Sequence, residues 1–95
     1  MYGTVARMRV KPGALEELQR LAVEEEAQIA GMVAQYVYRM DADPAELYLA
    51  VVFTSREAYR ANAESPEQNE RYERMLQCLE GPPEWHDGEL VVPPG

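Results

Sequence analysis

The chain has 95 residues, a formal net charge of −8 and 46% hydrophobic residues, which is the composition of one folded domain. Its 17 acidic against nine basic side chains disfavour binding to nucleic acid or to an anionic membrane surface. One cysteine and one histidine cannot form an internal disulfide or a structural zinc site, so we expect no metal, although carboxylate-rich sites stay open.

The chain shows neither of the sequence features that direct a protein to a membrane. No apolar run approaches the roughly 18–20 residues that a bilayer-spanning helix needs. The first residues lack a basic segment followed by a long apolar core, so no secretory signal is visible. We therefore expect a cytoplasmic protein with a single domain over residues 1–95, of which 93–95 form a frayed tail.

The first third of the chain predicts a strand followed by a helix. Apolar and polar side chains alternate over residues 2–10, which is typical of a strand. Residues 14–29 carry an apolar stripe at helical spacing, and Gly31 is a plausible stop for this helix. The acidic run over residues 24–26 is expected to face solvent.

Two further strands are predicted over residues 32–40 and 46–54. The second of them has apolar or aromatic side chains on both faces, which indicates burial on both sides. In a chain this small, its own helices can cover only one of these faces. We therefore predict a homodimer in which a second copy covers the other face.

A broken helix is predicted after these strands. Thr54 and Glu57 form a capping signature for a short helix that ends near Ala63. Ser65 is a second N-cap candidate, because Pro66 follows it at a position that suits the first turn of a helix. Gln68 completes a capping box at the start of this second piece.

The last part of the chain completes a known arrangement of helices and strands. The Gly-Pro-Pro segment 81–83 ends the second helix, and residues 84–92 form a weaker last strand. The resulting order β-α-β-β-α-β predicts an α+β, ferredoxin-like fold with one antiparallel sheet, in which the second helix is broken at Ser65-Pro66.

Several segments resemble the antibiotic biosynthesis monooxygenase family. They are Phe-Thr-Ser-Arg-Glu-Ala-Tyr-Arg-Ala-Asn over 53–62, Ser65-Pro66, the end of the first strand over 10–13, and Gly-Pro-Pro over 81–83. The resemblance covers about residues 2–92. It implies a dimeric α/β barrel, in which two sheets pack face to face and each subunit has a pocket between its sheet and its helices.

The resemblance also implies an activity and a set of site residues. Some members oxidise polycyclic phenols and quinols without metal or flavin, so it implies a cofactor-independent monooxygenase acting on a small aromatic or quinol substrate. Tyr59 stands where some members place a tyrosine linked to proton transfer, and it is the catalytic candidate. The residues expected to line the pocket are Leu49, Phe53, Asn62, Tyr72 and Met75.

Three of these positions differ from active relatives and leave an alternative open. Leu49 stands where one active member has asparagine, Phe53 where several have tryptophan, and Asn62 where many relatives have histidine. The alternative is a non-catalytic, metabolite-binding or structural dimer of the same fold.

Two other groups of side chains are candidates for roles at a site or an interface. The side chains of Tyr36, Tyr38, Tyr48, Tyr59 and Tyr72 could ring an aromatic pocket, or simply fill the core. Arg7 and Arg9 share one strand face, and they are expected at a dimer interface, in solvent or on an anionic ligand group.

Overall fold

The computed structural model describes residues 1–26 and 28–93, and these residues form one sheet that is covered by helices on one face. The strands are β1 (Tyr2–Arg9), β2 (Met32–Arg39), β3 (Glu46–Phe53) and β4 (Glu84–Glu89). All paired strands are antiparallel, in the order β2-β3-β1-β4. The helices are α1 (Leu15–Glu26), α2 (Arg56–Ala63) and α3 (Pro66–Gln77).

This arrangement confirms the predicted α+β, ferredoxin-like fold. The break at Ser65-Pro66 divides the second helical region into α2 and α3, as the capping signals predict. The Ser65 hydroxyl accepts a 3.1 Å hydrogen bond from the backbone N–H of Gln68. None of the helices in the described part of the chain is long and apolar enough to cross a membrane.

The core lies between the helices and the inner face of the sheet. Alternate residues of β3 point inward and are buried, as are Ala6 and Met8 of β1. Leu18 and Leu21 of α1 pack onto them. In β2 it is Gln35 that shares this inner face, because it pairs with the buried Val51 of β3.

The outer face of the sheet carries the other alternate residues, and no helix of the described part of the chain lies on it. Val5, Tyr36 and Tyr38 are 50%, 55% and 57% exposed on this face. Their neighbours Tyr48, Ala50 and Val52 on β3 are half-buried. The third strand therefore has apolar side chains on both faces, as predicted, and within one chain its outer side chains stay partly open.

The helix α1 is shorter than the prediction of 14–29. Gln28 and Ile29 lie outside it, and Ala27 is not among the described residues. The acidic last turn explains the early end, because carboxylates are unfavourable near the negative end of the helix dipole. Gly31 lies in the turn before β2, where its φ of 82° favours glycine.

The N-cap of α2 is Ser55, so the predicted cap at Thr54 is wrong. The Ser55 hydroxyl accepts a 3.0 Å hydrogen bond from the backbone N–H of Ala58. The backbone N–H of Thr54 instead donates to the carbonyl of Gly31 at 2.9 Å. Thr54 thus still belongs to the strand pairing, and the helix begins one residue later than the sequence indicates.

The last elements also end earlier than predicted. α3 ends at Gln77 because Leu79 pairs with Val10 in an isolated bridge, so the Gly-Pro-Pro segment does not terminate the helix directly. β4 ends at Glu89, which pairs with Tyr2 at the start of β1. Residues 91 and 92 therefore have little of β1 left to pair with, and their valines are exposed.

Candidate functional site

A cavity of about 360 Å³ lies between the inner face of the sheet and the helices. This volume is within the range of roughly 300–1,000 Å³ that is typical of small-molecule sites. Every site residue expected from the sequence lines it, although their roles stay predictions. These residues are Leu49, Phe53, Tyr59, Asn62, Tyr72 and Met75.

Tyr59 is held in the cavity by its neighbours on the sheet. It lies on α2, and its ring packs edge-on against Phe53, at 5.4 Å between ring centres, and against Tyr2 at 5.3 Å. Its hydroxyl donates a 2.8 Å hydrogen bond to the carboxylate of Asp87 on β4. The ring and the hydroxyl are therefore both fixed, one by packing and the other by a hydrogen bond.

The surroundings of Tyr59 keep its hydroxyl protonated. Burial, the hydrogen bond to Asp87 and the negative charge of that residue together raise the pKa of Tyr59 to about 12. Thr4, which lies beside the hydroxyl, acts in the opposite direction and is outweighed. At neutral pH Tyr59 is thus a neutral hydrogen-bond donor that can pass a proton on, rather than a phenolate base.

Asp87 is a site residue that the sequence analysis missed. It lies on β4, which is exposed along its whole length and shows no alternation of buried and exposed residues. Its link to Tyr59 joins residues 28 positions apart, and no local pattern predicts such a contact. Its neighbour Trp85, also missed, lines the cavity and packs at 6.1 Å from the ring of Tyr72.

Glu25 is a third residue that the sequence analysis missed, and the expectation that it is solvated is wrong. It is half-buried, it lines the cavity, and its Oε1 atom is buried with no hydrogen-bond partner in residues 1–26 and 28–93. Burial raises the pKa of this carboxyl, although Arg71 and Arg74 oppose the shift. Its spacing from Leu18 and Leu21 is the signal that could have placed it on the buried stripe of α1.

The aromatic residues of the cavity differ from the predicted ring of tyrosines. Tyr36, Tyr38 and Tyr48 belong to the outer face of the sheet, away from the cavity. The wall is instead made by Tyr59 and Tyr72 together with Phe53 and Trp85. The alternation along each strand decides this, because residues two apart share a face and these three tyrosines lie opposite to the inward-facing set.

The amide side chains on α2 and α3 are partly engaged with each other. The Asn62 side chain donates a 3.2 Å hydrogen bond to the side chain of Gln68. The capping box expected at Gln68 is therefore only half formed, since its backbone N–H is bonded to Ser65 while its side chain bonds to Asn62. Asn62 acts here as a hydrogen-bonding wall residue, and no histidine lies among the described residues that line the cavity.

The remaining chemistry-bearing residues lie outside the cavity. His86 is exposed and lies 2.9 Å from the Glu84 carboxylate. Cys78 is buried, and burial raises the pKa of its thiol. Within residues 1–26 and 28–93, no three His, Cys, Asp or Glu side chains are grouped closely enough to hold a metal ion.

The model of the antibiotic biosynthesis monooxygenase family matches residues 1–74 of this chain. No curated protein matches it. Solved structures with the same fold are numerous, and three of them illustrate the range.

A protein from Chloroflexus aurantiacus J-10-fl, assigned to the antibiotic biosynthesis monooxygenases, is 23% identical with a TM-score of 0.80, and the match covers 99% of this chain and 96% of that one. A conserved protein from Methanosarcina mazei Go1 is 21% identical with a TM-score of 0.77, over 92% and 89% of the two chains. SnoaB from Streptomyces nogalater, a cofactor-independent oxygenase solved with one asparagine replaced by alanine, is 15% identical with a TM-score of 0.80, over 97% and 94%. At these identities the likeness establishes the fold alone.

Proposed function

Because this chain belongs to the antibiotic biosynthesis monooxygenase family, we propose that it oxidises a small aromatic or quinol substrate in the cavity, without a cofactor. The observation that carries the proposal is the hydrogen bond from Tyr59 to Asp87 at the cavity wall. It supplies a route for a proton from a substrate bound in the cavity to a carboxylate at an exposed position of β4.

Deprotonation is the step that this pair supports. A phenol or enol becomes far more electron-rich when it loses its proton, and it can then react with dioxygen directly. As the substrate hydroxyl gives its proton to the Tyr59 oxygen, Tyr59 passes its own proton to Asp87. Tyr59 stays neutral before and after the transfer, which is consistent with its pKa of about 12.

The aromatic wall supports the choice of an aromatic substrate. The rings of Phe53, Tyr59, Tyr72 and Trp85 line the cavity, and Leu49 and Met75 add apolar surface. Such a wall binds a flat ring through burial of apolar area and through edge and face contacts. For an anthrone, one oxygen atom of O₂ becomes the new carbonyl, and the other leaves as water with both methylene hydrogens.

The proposal includes assembly as a homodimer through the outer face of the sheet. Val5, Tyr36 and Tyr38 leave a partly exposed apolar surface there. Ion pairs lie beside it, from Arg7 to Glu46 and from Arg9 to Asp43. A second copy would bury this apolar surface at about 25 cal/mol per Å², with the charged pairs left at the rim.

Oxygen-electrode assays on a panel of anthrones and hydroquinones test this function. We expect the wild-type protein, with no added cofactor, to increase the rate of oxygen uptake with at least one member of the panel. Uptake at the spontaneous rate with every member would contradict the proposal. Binding of panel members without added uptake would favour the metabolite-binding alternative.

A further inference from the structure

The floor of the cavity is a row of paired residues that crosses all four strands. Thr4 of β1 pairs with Asp87 on one side and Val51 on the other, and Val51 pairs with Gln35. All four line the cavity, and three of them are polar. Three strand spacings of about 4.8 Å place the backbones of Asp87 and Gln35 roughly 14 Å apart. A flat molecule lying along this row would reach polar groups at both ends.

Each end of the row lies under a different helix. The Tyr59 hydroxyl of α2 is bonded to Asp87 at the β4 end. At the β2 end the Gln35 side chain donates a 3.1 Å hydrogen bond to the backbone carbonyl of Ala22 in α1. Glu25 follows Ala22 by three residues and therefore lies on the same side of that helix. The two functional groups thus lie at opposite ends of the row.

A buried oxygen atom at the β2 end of this path has no hydrogen-bond partner among the described residues. It is Oε1 of Glu25, which lines the cavity. Buried polar atoms are nearly always hydrogen-bonded, and leaving one unpaired is unfavourable. A ligand hydroxyl that donates to Glu25 would satisfy the carboxylate oxygen.

The charge of the lining decides which ligands fit. Glu25 and Asp87 are the charged residues among those described as lining the cavity, and both are acidic. A carboxylated or sulfonated ligand would therefore be repelled, whereas a neutral ligand with hydroxyl groups would be accepted. The positive charges of Arg71 and Arg74 on α3 also act on Glu25, but neither residue lines this cavity.

We infer, as a deepening of the proposed function, that the ligand is an uncharged, elongated aromatic with a hydroxyl at each end. Glu25 is the residue that determines this specificity, because its carboxylate accepts a hydrogen bond from the hydroxyl remote from Tyr59. The opposite hydroxyl faces Tyr59 and Thr4.

The test compares two ligands that differ by one hydroxyl. A naphthalenediol with hydroxyls on opposite rings and the matching mononaphthol are titrated without oxygen, so that turnover does not interfere. Trp85, the one tryptophan of the chain, lines the cavity, and quenching of its fluorescence reports binding. We expect the wild-type protein to bind the diol about tenfold more tightly, as one hydrogen bond to a charged group implies.

The variant Glu25→Leu should reduce this preference to less than about twofold while leaving the affinity for the mononaphthol within about twofold of wild type. Glu26→Leu, which makes the same charge change at an exposed position of α1, should keep the full preference. Three results would overturn the inference: wild type binds the two ligands equally, wild type binds neither ligand, or Glu25→Leu weakens the binding of both ligands equally. The last result would mean that Glu25 serves the fold beside Arg71.

The binding test and the oxygen assay have independent outcomes, so failure of one proposal can be told from failure of the other. Glu25-dependent preference for the diol, together with no oxygen uptake on any substrate, would remove the proposed oxidation and leave the ligand class standing. Oxygen uptake without a Glu25-dependent preference would remove the ligand class and leave the oxidation.

Discussion

The hydroxyl of Tyr59 donates a 2.8 Å hydrogen bond to Asp87 and so ties α2 to the edge strand β4. Both residues line the cavity, so the bond lies at the cavity wall. It fixes the tyrosine oxygen at a defined point of the wall, where a bound substrate can meet it.

The pKa of Tyr59 is the first quantity to measure. In Asp87→Asn we expect the pKa to fall below about 12, toward the ordinary value of 10.0, because the neighbouring negative charge is lost. It stays above 10.0, since burial is the larger cause. Ultraviolet titration of the phenolate, taken as the difference between Asp87→Asn and the double variant with Tyr59→Phe, reports this pKa. Glu89→Gln, which changes an exposed acid on the same strand, is the control and should leave the pKa of Tyr59 unchanged. An unchanged pKa of Tyr59 in Asp87→Asn would exclude the charge effect.

Glu25 is expected to lower the stability of the fold at neutral pH. Its folded pKa is raised above the ordinary 4.5 by burial, so its stabilising contribution is present below that value and is lost as the pH rises through the folded pKa. The amide side chain in Glu25→Gln does not titrate. The free energy of unfolding of this variant should therefore increase relative to that of wild type between about pH 4 and about pH 7.

Urea unfolding at both pH values measures the gain, and Glu24→Gln, an exposed neighbour on α1, is the comparison. If the free energy of unfolding of Glu25→Gln instead falls relative to that of wild type as the pH rises, Arg71 and Arg74 outweigh the burial of the carboxyl.

The capping serines should each contribute measurably to stability. Ser55→Ala and Ser65→Ala remove hydroxyls that accept hydrogen bonds from the first turns of α2 and α3, and each should lower the free energy of unfolding by about 1 kcal/mol. Thr54→Ala, next to the true cap, should lower it by less than about 0.5 kcal/mol. Urea unfolding of the three variants decides the point, and a larger loss in Thr54→Ala than in Ser55→Ala would contradict the observed cap.

The homodimer has a direct test on the outer face of the sheet. Light scattering at micromolar concentration should give wild type twice the 10.8 kDa mass of the chain. Val5→Arg places a charge in the middle of this face and should give the single-chain mass. Val23→Arg introduces the same side chain on an exposed position of α1, which is 72% accessible, and should leave the dimer intact. A wild-type monomer, or equal dissociation of both variants, would contradict the assembly.

The residues expected in the cavity were predicted from the family resemblance, and the local periods of the chain agree with where the structure places them. Leu49 and Phe53 lie on the buried face of β3 because strand side chains alternate, and Tyr59 follows on the next helix. Glu25 also follows the helical period of α1. The run of three carboxylates favours a solvent-exposed position, however, and so conceals that Glu25 belongs to the apolar stripe of this helix.

Asp87 could not be found in this way, since its role comes from the pairing of β4 with β1, which brings together residues distant in sequence. The ends of α1, α3 and β4 were missed for a related reason. Each end is set by a partner elsewhere in the fold or by the helix dipole. The glycine and proline residues from which the ends were predicted lie a few positions further along the chain.

The rate of oxygen uptake in Tyr59→Phe tests the central claim most directly. The substitution keeps the ring that packs on Phe53 and removes only the hydroxyl, so loss of proton transfer should slow uptake by roughly 10²–10⁴-fold on any substrate that wild type oxidises. Tyr38→Phe, which removes a hydroxyl from the outer face of the sheet, should retain the wild-type rate. Uptake by Tyr59→Phe at the wild-type rate would contradict the role of Tyr59 in proton transfer.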